Sequence, residues 1–198
     1  MNEIGSKKQI VLIHGGDSYS SYNNYLADLK SLQIDYQQLL PAKRWKDKLA
    51  ETFVDYDVLM PTMPNSANAQ FSEWQIWFDK LTPFFGNNVR LIGHSLGAMF
   101  LAKYLHANRL KSPVEQLILI AGGYDMEDYG SFTVSSAAGL EQSAKAIHLF
   151  HSSDDPVVSY TELAKYQSDL PGAHTHNFND RGHFNNKDFP ELIKLLQD

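Results

Sequence analysis

Ser95 stands in the run Gly93-His94-Ser95-Leu96-Gly97, entered from Val89-Arg90-Leu91-Ile92 and left through the helix-forming stretch Ala98-Met99-Phe100-Leu101-Ala102. A serine on a sharp strand-to-helix turn sits in strained backbone geometry, and only small residues two places before and after it let strand and helix approach. The unpaired N–H groups and positive dipole end of the helix that follows suit the charge developing on a carbonyl oxygen under attack. That is the setting of a nucleophilic hydroxyl, which needs a general base and a group to orient the base.

An orienting acid belongs just after a later strand, and Ile147-His148-Leu149-Phe150 leads to Asp154-Asp155-Pro156-Val157-Val158. Asp155 is the first choice, because Val158, three places on, can anchor the loop in the core and leave the carboxylate directed at an imidazole. Asp154 comes second, a one-residue shift of register. Asp125, after the preceding strand, comes third. The base is His183, in Arg181-Gly182-His183-Phe184 between the last strand and the last helix. The chain order serine, acid, histidine is that of α/β-hydrolases.

An attacked carbonyl oxygen needs two N–H donors. The turn supplies the amide of Leu96, and the loop His14-Gly15-Gly16 after the first strand supplies the other, with Gly16 as first choice and Gly15 or Asp17 as alternatives. His14 reads as a structural hydrogen-bonding residue beside that loop. His94 flanks the nucleophile, with its side chain leaving the turn in another direction, and His106 falls on a helix. His174 and His176 lie two apart on one face of a strand, as satisfied histidines do. His148, His151, His174 and His176 on neighbouring strands are the alternative metal set, but neither a cysteine nor a His-Glu-x-x-His helix accompanies them. No metal and no cofactor is called for, and no substrate-binding residue is identified.

Short apolar runs alternate with helical periods along the chain. Strands are predicted at 9–13, 56–60, 88–92, 116–121, 146–151 and 173–178, and helices near 20–32, 45–53, 71–81, 96–107, 159–168 and 189–196. Phe71, Trp74, Trp77, Phe78 and Leu81 share one helix face, read as core. Each strand is followed by a helix-length crossover, so the fold class is α/β, with a six-stranded parallel sheet covered by helices on both faces. Ligands then gather at the carboxyl ends of the strands. The prolines of Pro61-Thr62-Met63-Pro64 make a loop. The segment 122–140 is too short for a lid domain, but its Tyr124, Tyr129 and Phe132 suit a small cap.

The 198 residues suit one domain over 1–198, and 43% apolar with 20% charged residues is ordinary globular usage. A net charge of −6 with dispersed acids argues against a nucleic-acid partner. There is no cysteine, so no disulfide framework, and a cytoplasmic location is the default. The apolar run Ile10–Ile13 is too short for a signal or membrane segment. Composition leaves the oligomeric state open.

The whole chain resembles the small serine hydrolases of the YdeN and retinoblastoma-binding-protein-9 type, through Gly93-His94-Ser95-Leu96-Gly97, the Pro61-x-Met63-Pro64 loop with Trp74, Asp155-Pro156, and Gly182-His183-Phe184. It departs where Ala98 continues the turn and in its opening His-Gly-Gly, which is closer to general esterases. The resemblance implies a compact α/β-hydrolase fold with strand order 2-1-3-4-5-6 and the triad Ser95, His183 and Asp155. The expected chemistry is hydrolysis of short to medium acyl esters, small molecules, through an acyl-enzyme. It should fall off below about pH 6.5, where imidazole becomes protonated. The same residues would serve a thioesterase or amidase, and an idle site in a binding protein of this fold is the remaining reading.

Overall fold

A computed structural model describes residues 7–197, the side chain of Gln38 excepted. Six strands form one parallel sheet: β1 (Gln9–Ile13), β2 (Asp57–Leu59), β3 (Val89–His94), β4 (Val114–Ile120), β5 (Ala144–Ser152) and β6 (His174–Phe178), in the order β2-β1-β3-β4-β5-β6. This is the predicted α/β-hydrolase sheet. Its strands differ from the predicted ranges at their ends: β2 is trimmed to three residues, and β5 starts at Ala144, two residues early. The long β5 is paired from its first residue, Ala144 opposite Val114, which local apolar patterning at Ala144-Lys145 does not announce.

The helices are α1 (Tyr22–Ser31), α2 (Trp45–Thr52), α3 (Phe71–Leu81), α4 (Leu96–Ala107), α5 (Glu162–Asp169) and α6 (Pro190–Gln197). Because side chains alternate across a strand, β1 to β5 divide their apolar residues between two cores. Val11, Ile13, Leu91, Leu117, Leu119 and Leu149 face Trp74 and Phe78 of α3, Phe100 and Leu101 of α4, and Leu163 and Tyr166 of α5. Ile10, Leu12, Ile92, Ile118, Ile120 and Phe150 face Trp45 and Leu49 of α2 and Leu192 and Leu196 of α6. Trp74 and Phe78 are buried as their spacing predicts, whereas Trp77, offset on the helix, remains 40% exposed.

Two tryptophans pack into these cores and fasten loops with their ring N–H groups. Trp45 Nε1 donates to the carbonyl of Phe184 (2.8 Å), and Trp74 Nε1 to that of Pro64 (2.8 Å). Both loops border the carboxyl end of the sheet. The connection from β4 to β5 is no cap: Phe132, Val134, Ala137 and Leu140 are buried in the α4 side of the core. The segment's aromatic residues serve packing: Tyr124 and Phe132 are buried and Tyr129 lies against the same core. By contrast α1 buries none of its residues, and Tyr22, Ile34, Tyr36 and Leu39 stand exposed in and after it.

Candidate active site

Ser95 links β3 to α4 with φ 57° and ψ −123°, a backbone conformation that a non-glycine residue keeps only when its surroundings enforce it. The flanking glycines show how. A Cβ on Gly97 would lie 2.2 Å from the carbonyl oxygen of Ile13, and one on Gly93 would lie 2.5 Å from that of Gly97. Strand, helix and the end of β1 therefore pack backbone to backbone around the serine. The Ser95 amide donates to Ile120 O (2.8 Å), and Ser95 O accepts from the Ala98 amide (2.9 Å), which closes the turn.

His183 follows β6, and its Nδ1–H donates to Asp155 Oδ2 at 2.8 Å. An acceptor-only carboxylate at Nδ1 sets the tautomer and leaves Nε2 with its lone pair free. The other oxygen of Asp155 accepts from the amides of Val157 (2.8 Å) and Val158 (3.0 Å), and Val158 is buried. Burial works to raise the Asp155 carboxyl, but hydrogen bonds from His183 and these two amides outweigh it and hold the group below the ordinary carboxylate range. The two other acids are engaged elsewhere. Asp154 Oδ1 accepts from Ser152 Oγ and from the Gly182 amide (2.9 Å), which bends the loop that carries His183. Asp125 pairs with Lys165. The base loop carries strain of its own, because Phe184 has φ 51° and is held there by burial among Phe178 and Phe189.

Ser95, His183, His14, Gly15, Gly16 and Asp17 line one open cleft of about 430 Å³. Gly15 lies directly against the nucleophile candidate: a Cβ there would come within 3.0 Å of Ser95 Cβ and 3.5 Å of its Oγ. Of the three amides proposed as second oxyanion donor, that of Asp17 is taken, donating to Ser66 O at 2.8 Å. The amides of Leu96, Gly15 and Gly16 have no backbone acceptor among the described residues. His14 takes the expected structural part. Its Nε2 accepts from the Met63 amide (2.8 Å) and its Nδ1 donates to Gly15 O (2.6 Å), so it ties the glycine loop to the 61–64 loop.

His94 does more than its sequence position suggests. Its Nε2–H donates to the backbone carbonyl of His183 (2.9 Å), and its Nδ1 accepts from Lys46 Nζ (2.8 Å). A carbonyl can only accept and an ammonium can only donate, so the ring is neutral with its proton on Nε2. Burial first, then the neighbouring Lys46 and His183, hold His94 well below 6.5. Arg44, Lys46, Val157 and Asn185 also line the cleft, and none of them shows in the sequence as a site residue. The only local hint is two cations flanking Trp45; their approach to Ser95 depends on how α2 docks on the sheet.

The four histidines of the alternative metal set do not come together. His148 and His174 stack with ring centroids 5.0 Å apart, and His148 Nδ1 lies 3.1 Å from His176 Nε2, whereas His151 points to the α5 side beside Tyr166. Among the described residues no helix is long and apolar enough to cross a membrane.

Comparison with known proteins agrees with the geometry. The chain is 28% identical over 160 residues to serine hydrolase RBBP9 of Rattus norvegicus, which covers 77% of this chain and 83% of that one. The crystal structure of the ydeN gene product of B. subtilis superposes with a TM-score of 0.75 at 19% identity, covering 96% of this chain and 97% of the other. A YdeN-like protein of Pectobacterium atrosepticum gives a TM-score of 0.68 at 16% identity, covering 96% and 89%. The family model described as serine hydrolase matches residues 37–197, and the chain, an α/β hydrolase by fold, belongs to that family of enzymes.

Proposed function

We propose that the enzyme hydrolyses short to medium acyl esters with Ser95 as nucleophile, His183 as general base and Asp155 as the acid that orients it. The observation that carries this reading is the 2.8 Å bond from His183 Nδ1 to Asp155, made in the same cleft into which the strained turn presents Ser95.

The Ser95 hydroxyl gives its proton to His183 Nε2 as Oγ bonds to the acyl carbon, and the carbonyl π electrons move onto oxygen. The amides of Leu96 and Gly16, with Gly15 as the alternative to Gly16, hold that oxyanion; each is free of a backbone acceptor among the described residues. Collapse expels the alcohol, protonated by His183, and leaves an acyl-enzyme. Water, deprotonated by His183, attacks the acyl carbon, and the acid departs as Ser95 regains its proton. Asp155 stays ionised throughout and stabilises the imidazolium. A cleft of about 430 Å³ falls at the small end of ligand sites and suits modest acyl groups.

A fluorophosphonate probe should label the wild-type enzyme at Ser95, and Ser95→Ala should abolish both labelling and turnover of a short-chain 4-nitrophenyl ester. Labelling that persists in the folded Ser95→Ala variant would refute the assignment.

A further inference from the structure

Arg44 and Lys46 stand on either side of Trp45 at the start of α2, and both line the cleft that holds Ser95 and His183. Each is oriented by a neutral acceptor. Arg44 Nη1 donates to Asn185 Oδ1 at 3.0 Å, and Lys46 Nζ donates to His94 Nδ1 at 2.8 Å. Neither makes an ion pair among the described residues, although Lys43 and Lys48, on the same stretch, pair with Glu51 and Asp188. The two cations are thus fixed in direction without a carboxylate partner, although Lys46 also lies 5.6 Å from the Trp45 ring centre and feels Asp47.

The remaining charge on the cleft is Asp17, on the loop after β1. Burial and the nearby Asp28 push its carboxyl above the ordinary carboxylate value, and His183 pulls it back in part. Burial, with Arg44 adding to it, brings Lys46 down to about 8, which still leaves an ammonium at neutral pH. One of its three N–H groups is committed to His94, and two remain for a ligand. The planar guanidinium of Arg44 likewise keeps donors beyond the one given to Asn185, in the fork that matches a carboxylate.

The geometry points to Arg44 and Lys46 as a binding site for a carboxylate on the substrate, so that the preferred esters are half-esters of dicarboxylic acids, whose free acid end sits on these two residues while the ester carbonyl meets Ser95. This inference rests on the ester-hydrolase reading above and adds to it the polarity of the acyl chain. A plain alkyl chain at that position would strip water from two cations without replacing its hydrogen bonds.

The test compares the 4-nitrophenyl half-ester of adipic acid with 4-nitrophenyl hexanoate, each rate normalised to its own hydroxide-catalysed hydrolysis. The wild-type enzyme should favour the half-ester in kcat/KM by about tenfold or more, the effect expected of one charge-assisted hydrogen bond. In Arg44→Gln, and further in Arg44→Gln/Lys46→Gln, that ratio should fall toward one; glutamine at 46 keeps an N–H for His94. Arg44→Gln leaves the His94 contact untouched, which guards against a folding defect in the double variant. A separate arm measures binding of monomethyl adipate to Ser95→Ala by calorimetry, against Ser95→Ala/Arg44→Gln, where affinity should drop about tenfold. Turnover of hexanoate with a ratio near one, or a ratio unmoved in Arg44→Gln, overturns the inference alone. Anion binding that depends on Arg44 in a protein that hydrolyses neither ester overturns the proposed reaction and leaves the anion site standing. Loss of both overturns both.

Discussion

Ser95 and His183 reach the same cleft on supports of opposite character. Ser95 is gripped by main chain: glycines at 93 and 97 let α4, β3 and the end of β1 touch, and the turn closes on backbone hydrogen bonds. His183 hangs from four side chains that arrive from three separate stretches of sequence. Asp155 holds its ring, His94 its carbonyl, Asp154 the preceding glycine, and Trp45 the following residue's carbonyl. A backbone grip depends on excluded volume and tolerates no added atom. A side-chain suspension shares its task, so removal of one strut should be graded according to whether that strut touches the ring or only the loop.

The largest contrast should come from the two adjacent acids. Asp155→Asn should lower kcat by roughly 10³–10⁴-fold with the fold intact, because an amide no longer fixes the tautomer or stabilises the imidazolium. Asp154→Asn, measured in the same assay, should cost less than tenfold. Similar losses at both positions would mean that Asp154 does more than shape the loop. Next comes Gly97→Ala, whose new Cβ meets the Ile13 carbonyl; it should destabilise the enzyme by about 3 kcal/mol or more in urea unfolding. A mild effect there would show that the main-chain grip yields.

Acid should loosen the molecule through its buried histidines. Burial, with His176 and His174 beside it, holds His148 at about 4, and burial brings His151 to about 4 despite the pull of Asp155. The unfolded chain takes up protons near 6.5 that the folded one refuses, so stability is complete above pH 6.5 and declines as pH falls from there to about 4. Unfolding free energies from urea titrations at pH 7 and 5 should differ by roughly 4 kcal/mol, about half from each histidine, and His148→Phe should shrink the difference. The smallest effect belongs to Trp45→Phe, which leaves the buried Phe184 carbonyl without its donor; about 1–2 kcal/mol of stability and a few-fold in kcat should be lost. A kcat change without a stability change would tie Trp45 more closely to His183 than a single loop contact does.

The elements that the sequence made legible are those whose rules are local. The Ser95 turn could be read because two glycines at fixed spacing between a strand and a helix answer a steric demand made within five residues. Trp74 and Phe78 could be read as core from helical period. Asp155 was preferred to Asp154 because of Val158, which is buried and whose amide donates to Asp155 Oδ1. The segment 122–140 resisted the same treatment. Its aromatic residues suit a cap or a core equally well, and only the position of α4 decides that Phe132 and Leu140 go inward.

Local chemistry along the chain singled out Ser95, Asp155 and His183, gave their order, and called for a parallel sheet that carries them at its carboxyl end. Tertiary structure alone decided what surrounds them: that Asp17 has spent its amide on Ser66, that His94 joins Lys46 to the backbone of His183, and that Arg44 faces the cleft beside Asn185. The reason is one of range. A turn or a helix face is fixed by neighbours within a few residues, whereas His94 lies 48 residues from Lys46 and 89 from His183, and Arg44 lies 141 from Asn185. Such pairs exist only once α2 and α6 have packed on the same side of the sheet.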